Sequence, residues 1–211
     1  MYEEEIHAIW VDPSRFDPVR HGPPFLPTGA TMRLASQKNA NIQDALQSMA
    51  AENAAGPLGY LSAMLAYLRA ASLIHQAHHW QTQGQSFYGD HLLFMRIYEE
   101  SAKGIDSLAE RAIGLGGTQL VDPIMQAKHV ALCVDKCYGV RTDSDPEGMI
   151  TISLRMENYL LEALKVVLAV LGQEGLLTDG TENLLQDLAD KHEEFVYLLK
   201  QRSNVSYSYG R

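Results

Sequence analysis

The spacing of the apolar residues is the feature that most constrains this chain, because from residue 57 to residue 202 it follows the period of an α-helix. Apolar side chains recur every three or four residues in long segments, as at Leu61, Leu65 and Leu68. No segment alternates apolar and polar residues convincingly, as a half-buried strand would. The pattern therefore predicts an all-α fold built from long helices.

Turn and capping residues divide this region into four long helices, with a short one between the second and the third. The starts and stops are marked by Gly56-Pro57, Gly84, Ser86, Gly116-Gly117, Asp122-Pro123, Asp145-Pro146, Thr181 and Arg202. Thr181 is the expected cap of the fourth long helix. This order predicts a ferritin-like four-helix bundle over residues 56–202, whose second and third long helices are joined by a crossover.

The first 55 residues have a different composition from the rest of the chain. Five of the eight prolines lie within the first 27 residues, which predicts an extended N-terminal arm with a short Ala-rich helix near residues 41–55. The aromatic side chains of Trp10, Phe16 and Phe25 suggest that the arm docks on a partner, whose identity the sequence does not give. Residues 203–211 are expected to form a mobile C-terminal tail.

Charge and hydropathy exclude several classes of function. The formal net charge is −9, from 26 acidic and 17 basic residues, and the first 40 residues contain no lysine cluster. We therefore expect no strong DNA binding. The longest uninterrupted apolar run, residues 166–171, is far shorter than the ~20 residues that cross a bilayer. We expect a cytoplasmic protein with no membrane contact.

The two cysteines, Cys133 and Cys137, lie one helical turn apart. This spacing is poor for an unstrained disulfide. The two share a stripe with His129, but three ligands in a row along one helix cannot surround an ion. Thiols buried in a core or an interface are therefore the favoured interpretation.

A histidine and two carboxylates share one face of the second long helix. At 100° per residue, His91, Asp106 and Glu110 fall within an arc of about 100°. His79 ends the preceding helix and reaches His91 through a short turn. Histidine nitrogens and carboxylate oxygens are ligands for iron, manganese or zinc. A solvated charged face with a histidine packed in the core is the simpler alternative.

These four residues cannot share a metal ion within one chain, because 15 residues of helix between His91 and Asp106 span about 22 Å. If two copies of this helix pack antiparallel about a two-fold axis, the histidine end of one subunit meets the carboxylate end of the other. The spacing therefore predicts two identical sites per dimer. Ala102, near the middle of the face, should lie at the contact, where a small residue allows close approach.

A second possible site lies inside the bundle, where several other ligand-type residues could converge. These residues are His75, His78, Glu99, Glu100, Glu157 and His192. A di-iron site of this kind uses Glu-x-x-His pairs. The residue three positions before His192 is Ala189, which weakens this alternative.

Two stretches of the chain resemble the signatures of the Dps proteins, the DNA-protection-during-starvation miniferritins. The first is His79-Trp80-Gln-Thr-Gln-Gly84-Gln-Ser-Phe87-Tyr-Gly-Asp-His91. The second is Ile105-Asp106-Ser-Leu108-Ala109-Glu110-Arg111-Ala-Ile-Gly-Leu115-Gly116. The 27-residue interval from His79 to Asp106 also fits, and Asp190-Lys191-His192 extends the match loosely. The resemblance covers about residues 57–202.

The resemblance implies a hollow dodecamer built from two-fold dimers, which oxidises Fe(II) with hydrogen peroxide or oxygen and stores ferric mineral. It implies that His79, His91, Asp106 and Glu110 bind the iron, with Trp80 supporting them from outside the ligand set. Two departures bear on this. Met95 stands where many relatives have an acid, which could weaken a second metal position. Gln119 stands where proline is usual.

One alternative function belongs to a different class. The chain could be a structural or interaction protein that keeps the bundle, performs no iron chemistry and uses the N-terminal arm to dock a partner. The retention of all four ligand-type residues favours the ferroxidase.

Overall fold

The computed structural model describes residues 42–138 and 146–203, which form six helices and, over those ranges, no strand. The helices are α1 Ile42–Ala51, α2 Gly59–Gln81, α3 Phe87–Gly116, α4 Pro123–Tyr138, α5 Pro146–Gln173 and α6 Asp179–Arg202. Short 3₁₀ turns, Gly56–Leu58 and Thr118–Val121, precede α2 and α4. The predicted arm up to residue 41 and the tail from residue 204 lie outside the described residues.

Helices α2, α3, α5 and α6 form a four-helix bundle in which neighbouring helices are antiparallel. The end of α2 meets the start of α3, and the start of α3 meets the end of α6 through the ion pair of Asp90 with Arg202. His75, late in α2, contacts Glu157 in the first half of α5. Since α3 and α5 are both antiparallel to α2, they run in the same direction.

Helix α4, which lies between α3 and α5 in the sequence, returns the chain along the length of the bundle. At its start, Gln126 donates hydrogen bonds to the backbone carbonyl and hydroxyl oxygens of Ser62 near the start of α2. At its end, the Tyr138 hydroxyl lies 2.9 Å from Nε2 of His78, near the end of α2. Helix α4 thus runs alongside α2, and the predicted four-helix bundle with a short helix in a crossover connection is confirmed.

Capping residues explain where several helices begin and end. Asp122 Oδ1 accepts a hydrogen bond from the backbone N–H of Met125 at 2.8 Å, so it caps α4 where the Asp-Pro pair predicts a start. The expectation that Thr181 caps α6 is wrong. Thr178 is the N-cap residue, and its hydroxyl accepts a hydrogen bond from the Thr181 backbone N–H. Both threonines precede the apolar stripe of α6, so the sequence pattern alone does not show which of them is the cap. The backbone geometry decides it.

The core lies mainly around α2, which is buried on nearly all sides. The helical segment of residues 56–81 is long and apolar enough to span a membrane, judged by length and composition alone. Of its apolar stretch, 67% is buried inside the bundle, as in the core helix of a globular protein. Leu46 and Met49 of α1 pack into the same core, so the helix predicted near residues 41–55 is part of the compact unit. Cys133 and Cys137 are free thiols buried in this core, as expected from their stripe.

Candidate metal centre

His79 and His91 hold each other at the turn between α2 and α3. The His79 Nδ1–H donates to the His91 carbonyl oxygen at 2.9 Å, and the His91 Nδ1–H donates to the His79 carbonyl oxygen at 3.0 Å. The rings stack with their centroids 3.7 Å apart. Because each Nδ1 is committed as a donor, each Nε2 keeps its lone pair, which is the state that binds a metal ion.

Two aromatic rings, neither of them predicted to take part in the site, flank this histidine pair. Phe87 stacks on His91 at 5.0 Å between centroids, and Tyr98 meets the edge of the His79 ring at 5.4 Å. Phe87 precedes His91 by one helical turn and Tyr98 follows it by two, so their helical register was the only available signal. The stack restricts rotation of both imidazoles, which fixes the direction of the Nε2 atoms.

Trp80 follows His79 directly but points away from the bundle. Its side chain is 69% exposed, whereas His79 is 9% exposed. An indole exposed in this way presents a large apolar ring and an N–H donor at the surface. Trp80 therefore belongs to the outer surface beside the histidine pair.

Asp106 and Glu110 lie on the outer face of α3, together with Ala102, and all three are exposed. Among the described residues, neither carboxylate has an ion-pair or hydrogen-bond partner. The same face carries three exposed large apolar residues, namely Tyr88, Leu92 and Ile113. An apolar strip that contains unpaired carboxylates is typical of a surface covered by another protein surface.

One protomer does not bring the four predicted ligands together. His79 and His91 are in contact, whereas Asp106 and Glu110 lie further along α3, at about 22 Å and 28 Å for a rise of 1.5 Å per residue. Within residues 42–138 and 146–203 there is no group of three or more His, Cys, Asp or Glu side chains that could hold a metal ion. The four predicted ligands therefore cannot share one metal ion within a single protomer.

The start of α3 is fixed by a buried ion pair beside His91. Arg202 binds Asp90 through two hydrogen bonds, from Nε to Oδ1 at 2.6 Å and from Nη2 to Oδ2 at 3.1 Å. Asp90 is almost fully buried. This bidentate contact joins the end of α6 to Asp90, the residue before His91. It therefore helps to fix the position of the two histidines relative to the bundle.

Three of the residues considered for a site inside the bundle do converge. Glu157 lies between two imidazoles, with Oε1 2.7 Å from Nε2 of His75 and Oε2 2.5 Å from Nδ1 of His192. All three side chains are buried. Because the Glu157 carboxylate lies between the two rings, the three side chains form a linear hydrogen-bonded chain. They do not enclose a space in which a metal ion could bind. Glu99 is exposed and Glu100 pairs with Lys103, so neither joins the chain.

The surroundings of Glu157 keep it ionised. Burial alone would raise the pKa of this carboxyl group, but the charge of His192 and hydrogen bonds from His192 and His75 outweigh burial and lower the pKa to about 2. His78 is adjacent, and its Nδ1 lies 2.9 Å from the Ser153 hydroxyl. Burial, with a smaller effect from the charge of His75, lowers the pKa of His78 to about 3. His78 is therefore neutral at physiological pH.

The ferritin-like domain family model matches residues 58–204, which include the whole bundle. The chain is 30% identical over 139 residues to a nutrient stress-induced DNA-binding protein of Synechococcus, covering 65% of this chain and 74% of the relative. It is 25% identical to DNA protection during starvation protein 2 of Bacillus anthracis, over 58% of this chain and 79% of that protein.

Solved structures show the same fold. The archaeal Dps homologue of Halobacterium salinarum superposes with a TM-score of 0.62 at 19% identity, covering 76% of this chain and 86% of the other. The Vibrio cholerae Dps protein, described as a member of a broad superfamily of ferritin-like diiron-carboxylate proteins, gives 0.59 at 22% identity and covers 76% and 91%. With the family match and the curated relatives, the bundle and its two motifs show that this chain belongs to the ferritin-like family, as a Dps-type miniferritin.

Proposed function

We propose that this protein is a ferroxidase and iron-storage protein whose catalytic sites form between two subunits. Each site contains His79 and His91 from one subunit and Asp106 and Glu110 from its mate. Trp80 lies at the edge of the site. The observation that carries the proposal is the reciprocal Nδ1 hydrogen bonding of the histidine pair, which leaves two Nε2 lone pairs without a protein partner among the described residues.

The outer face of α3 supports the intersubunit arrangement. His91 and the two carboxylates lie on one face at opposite ends, so an antiparallel copy of α3 would match each end with its complement. Ala102 lies between them and is small enough for the helices to approach closely. The exposed Leu92 and Ile113 on this face would be covered in the same contact.

The donor set suits oxidation of Fe(II), which is the substrate of the site. Neutral imidazole nitrogens and carboxylate oxygens both bind Fe(II). Two anionic carboxylates stabilise Fe(III) more than Fe(II), because the ion of higher charge gains more from anionic ligands. The site therefore lowers the cost of removing an electron from iron, with oxygen or hydrogen peroxide as the acceptor.

The assembly proposed is a cytoplasmic dodecamer built from these dimers, which holds ferric mineral inside and thereby limits oxidative damage. The net charge of −9 per chain makes such a shell strongly negative, so it attracts Fe(II). The part of the predicted arm that precedes α1, residues 1–41, remains the proposed docking element for a protein partner.

Stopped-flow absorbance after addition of Fe(II) tests the function. The variants His79→Ala and Asp106→Ala each remove one ligand but no core residue, so both should oxidise Fe(II) much more slowly than the parent while keeping the same helical circular dichroism. Normal rates in both variants would refute the site. A parent protein that neither binds nor oxidises Fe(II) would favour the structural or interaction protein instead.

A further inference from the structure

Two sulfur atoms are in contact between α4 and α5, away from the proposed iron ligands, and a second thiol lies one helical turn away on α4. Cys137 Sγ lies 3.3 Å from Met156 Sδ, and Cys133 lies one helical turn before Cys137 on the same buried stripe of α4. Side chains with this spacing have Cβ atoms about 5–6 Å apart. All three residues are at most 3% exposed. Two thiols and one thioether from two helices therefore lie in one enclosed region.

We propose that Cys133, Cys137 and Met156 bind one soft monovalent metal ion, Cu(I) or its analogue Ag(I). Thiolate and thioether ligands select Cu(I) over the hard cations that prefer oxygen. The inference is independent of the proposed ferroxidase site, because it uses none of that site's residues.

Ligands from two helices remove the geometric objection to a metal site on α4 alone. A row of ligands along one helix faces an ion from one side only. Met156 approaches from α5, and its thioether faces the Cys137 thiol across the helix contact. His129 is not needed, since its Nε2 lies 3.2 Å from a carboxylate oxygen of Glu52.

Binding has a defined proton balance. Two thiols and one Cu(I) give a bis-thiolate complex of charge −1 and release two protons. Burial raises the pKa of each thiol to about 12, so both are protonated until a metal ion displaces the protons. The charges of Arg155 and Lys136 lower the pKa of Cys137, whereas the charge of Glu157 adds to the effect of burial and raises it. The two positive charges would offset the charge of the complex.

The groups around the two thiols are compatible with binding of Cu(I). Arg155 is held beside the site because its Nη1–H donates to the Cys137 carbonyl oxygen at 2.7 Å. Burial, followed by the charges of Cys133 and Cys137, raises the pKa of Tyr67, so this phenol stays neutral beside the thiols. Cys137 lies in the last turn of α4, which ends at Tyr138.

The test is an anaerobic titration of the reduced full-length protein with Cu(I) in the presence of bicinchoninate, a coloured competitor. The protein should withhold one Cu(I) per chain from the competitor and release two protons. The double variant Cys133→Ala/Cys137→Ala should lose this capacity, whereas His79→Ala should retain it. A parent protein that withholds no Cu(I), or a double variant that withholds as much as the parent, would overturn the proposal.

A second pair of variants decides the question even if the double variant does not fold. Loss of a supporting residue weakens metal binding by roughly 10–100-fold, so loss of a ligand in Met156→Leu should weaken Cu(I) binding at least tenfold. Met149→Leu is the matched control, since Met149 is a buried methionine of α5 that packs in a different apolar cluster. Equal affinities in the two variants, or nitrogen and oxygen neighbours of copper in the X-ray absorption spectrum, would overturn the assignment.

Discussion

His79 and His91 each donate an imidazole Nδ1–H to the other's backbone carbonyl oxygen, so each fixes the tautomer and the direction of its partner. The two residues end one helix and begin the next. The five-residue link between α2 and α3 therefore sets the geometry of both Nε2 atoms. The backbone contacts therefore preorganise the two imidazoles that we propose as iron ligands.

Trp80 is expected to assist the site without binding iron. Trp80→Phe keeps an aromatic ring and removes the indole N–H, so Fe(II) oxidation should slow by about tenfold, as for loss of a supporting residue. The fold should be unaffected, since the ring is 69% exposed. Stopped-flow absorbance measures the rate, and the rate of His79→Ala, which lacks a proposed ligand, serves as the reference for a large loss. An unchanged rate would remove Trp80 from the site.

Ala102→Arg tests whether the outer face of α3 is the two-fold contact. The substitution places two long, like-charged side chains where we propose that the helices meet, so the variant should lose both the dimer and its oxidation rate. Helical circular dichroism should persist. Ala169→Arg is the matched control, because Ala169 is an exposed alanine on α5. Monomers of Ala102→Arg that oxidise Fe(II) at the parent rate would place the ligands within one bundle.

Glu157→Gln should destabilise the bundle and change its acid sensitivity. Removing one partner of a buried ion pair costs about 3–5 kcal/mol of the free energy of unfolding. The pKa of Glu157 falls from 4.5 when unfolded to about 2 when folded. Its stabilising effect is therefore complete above pH 4.5 and is lost as the pH falls towards 2. Urea unfolding at fixed protein concentration, from pH 7 to pH 3, measures both effects.

The shape of that pH series separates Glu157 from His78. The pKa of His78 falls from 6.5 to about 3 on folding, so both proteins should lose stability as the pH drops below 6.5. The two stability curves should run parallel down to about pH 4.5 and converge below it, because the unfolded parent then protonates Glu157 while the folded parent keeps it ionised. Parallel curves throughout the range would mean that folding does not lower the pKa of Glu157.

DNA binding should be weak at physiological ionic strength, although two curated relatives are named DNA-binding proteins. The net charge of −9 opposes phosphate contacts, and the first 40 residues hold four basic against five acidic residues. A gel-shift titration at ~150 mM salt should show no complex at low protein concentration. A tight complex under these conditions would contradict this expectation.

Local signals predict most of the fold, because each helix boundary depends on residues that are neighbours in sequence. Asp122 caps α4 as its Asp-Pro pair indicates, whereas the cap of α6 is Thr178 and not Thr181. Both threonines can supply a hydroxyl oxygen. The choice between them depends on backbone angles that composition does not encode.

The site is predictable only where helical spacing determines it. Spacing brings His91, Asp106 and Glu110 onto one face and His79 to its end. It does not reveal the reciprocal carbonyl contacts. It also does not reveal that Glu157 lies between His75 and His192, which are 82 and 35 residues away in sequence. Contacts of this kind arise from the packing of three helices. The apolar pattern of any one helix therefore does not predict them.

The most direct test of the intersubunit site is complementation between two inactive variants. Co-expression of His79→Ala and Asp106→Ala with different tags allows the mixed dimer to be purified. If each site takes its histidines from one subunit and its carboxylates from the other, one site of the mixed dimer lacks both residues and the other is intact. Fe(II) oxidation should then return to about half of the parent rate per dimer. Mixed dimers as inactive as either variant alone would contradict a site shared between subunits.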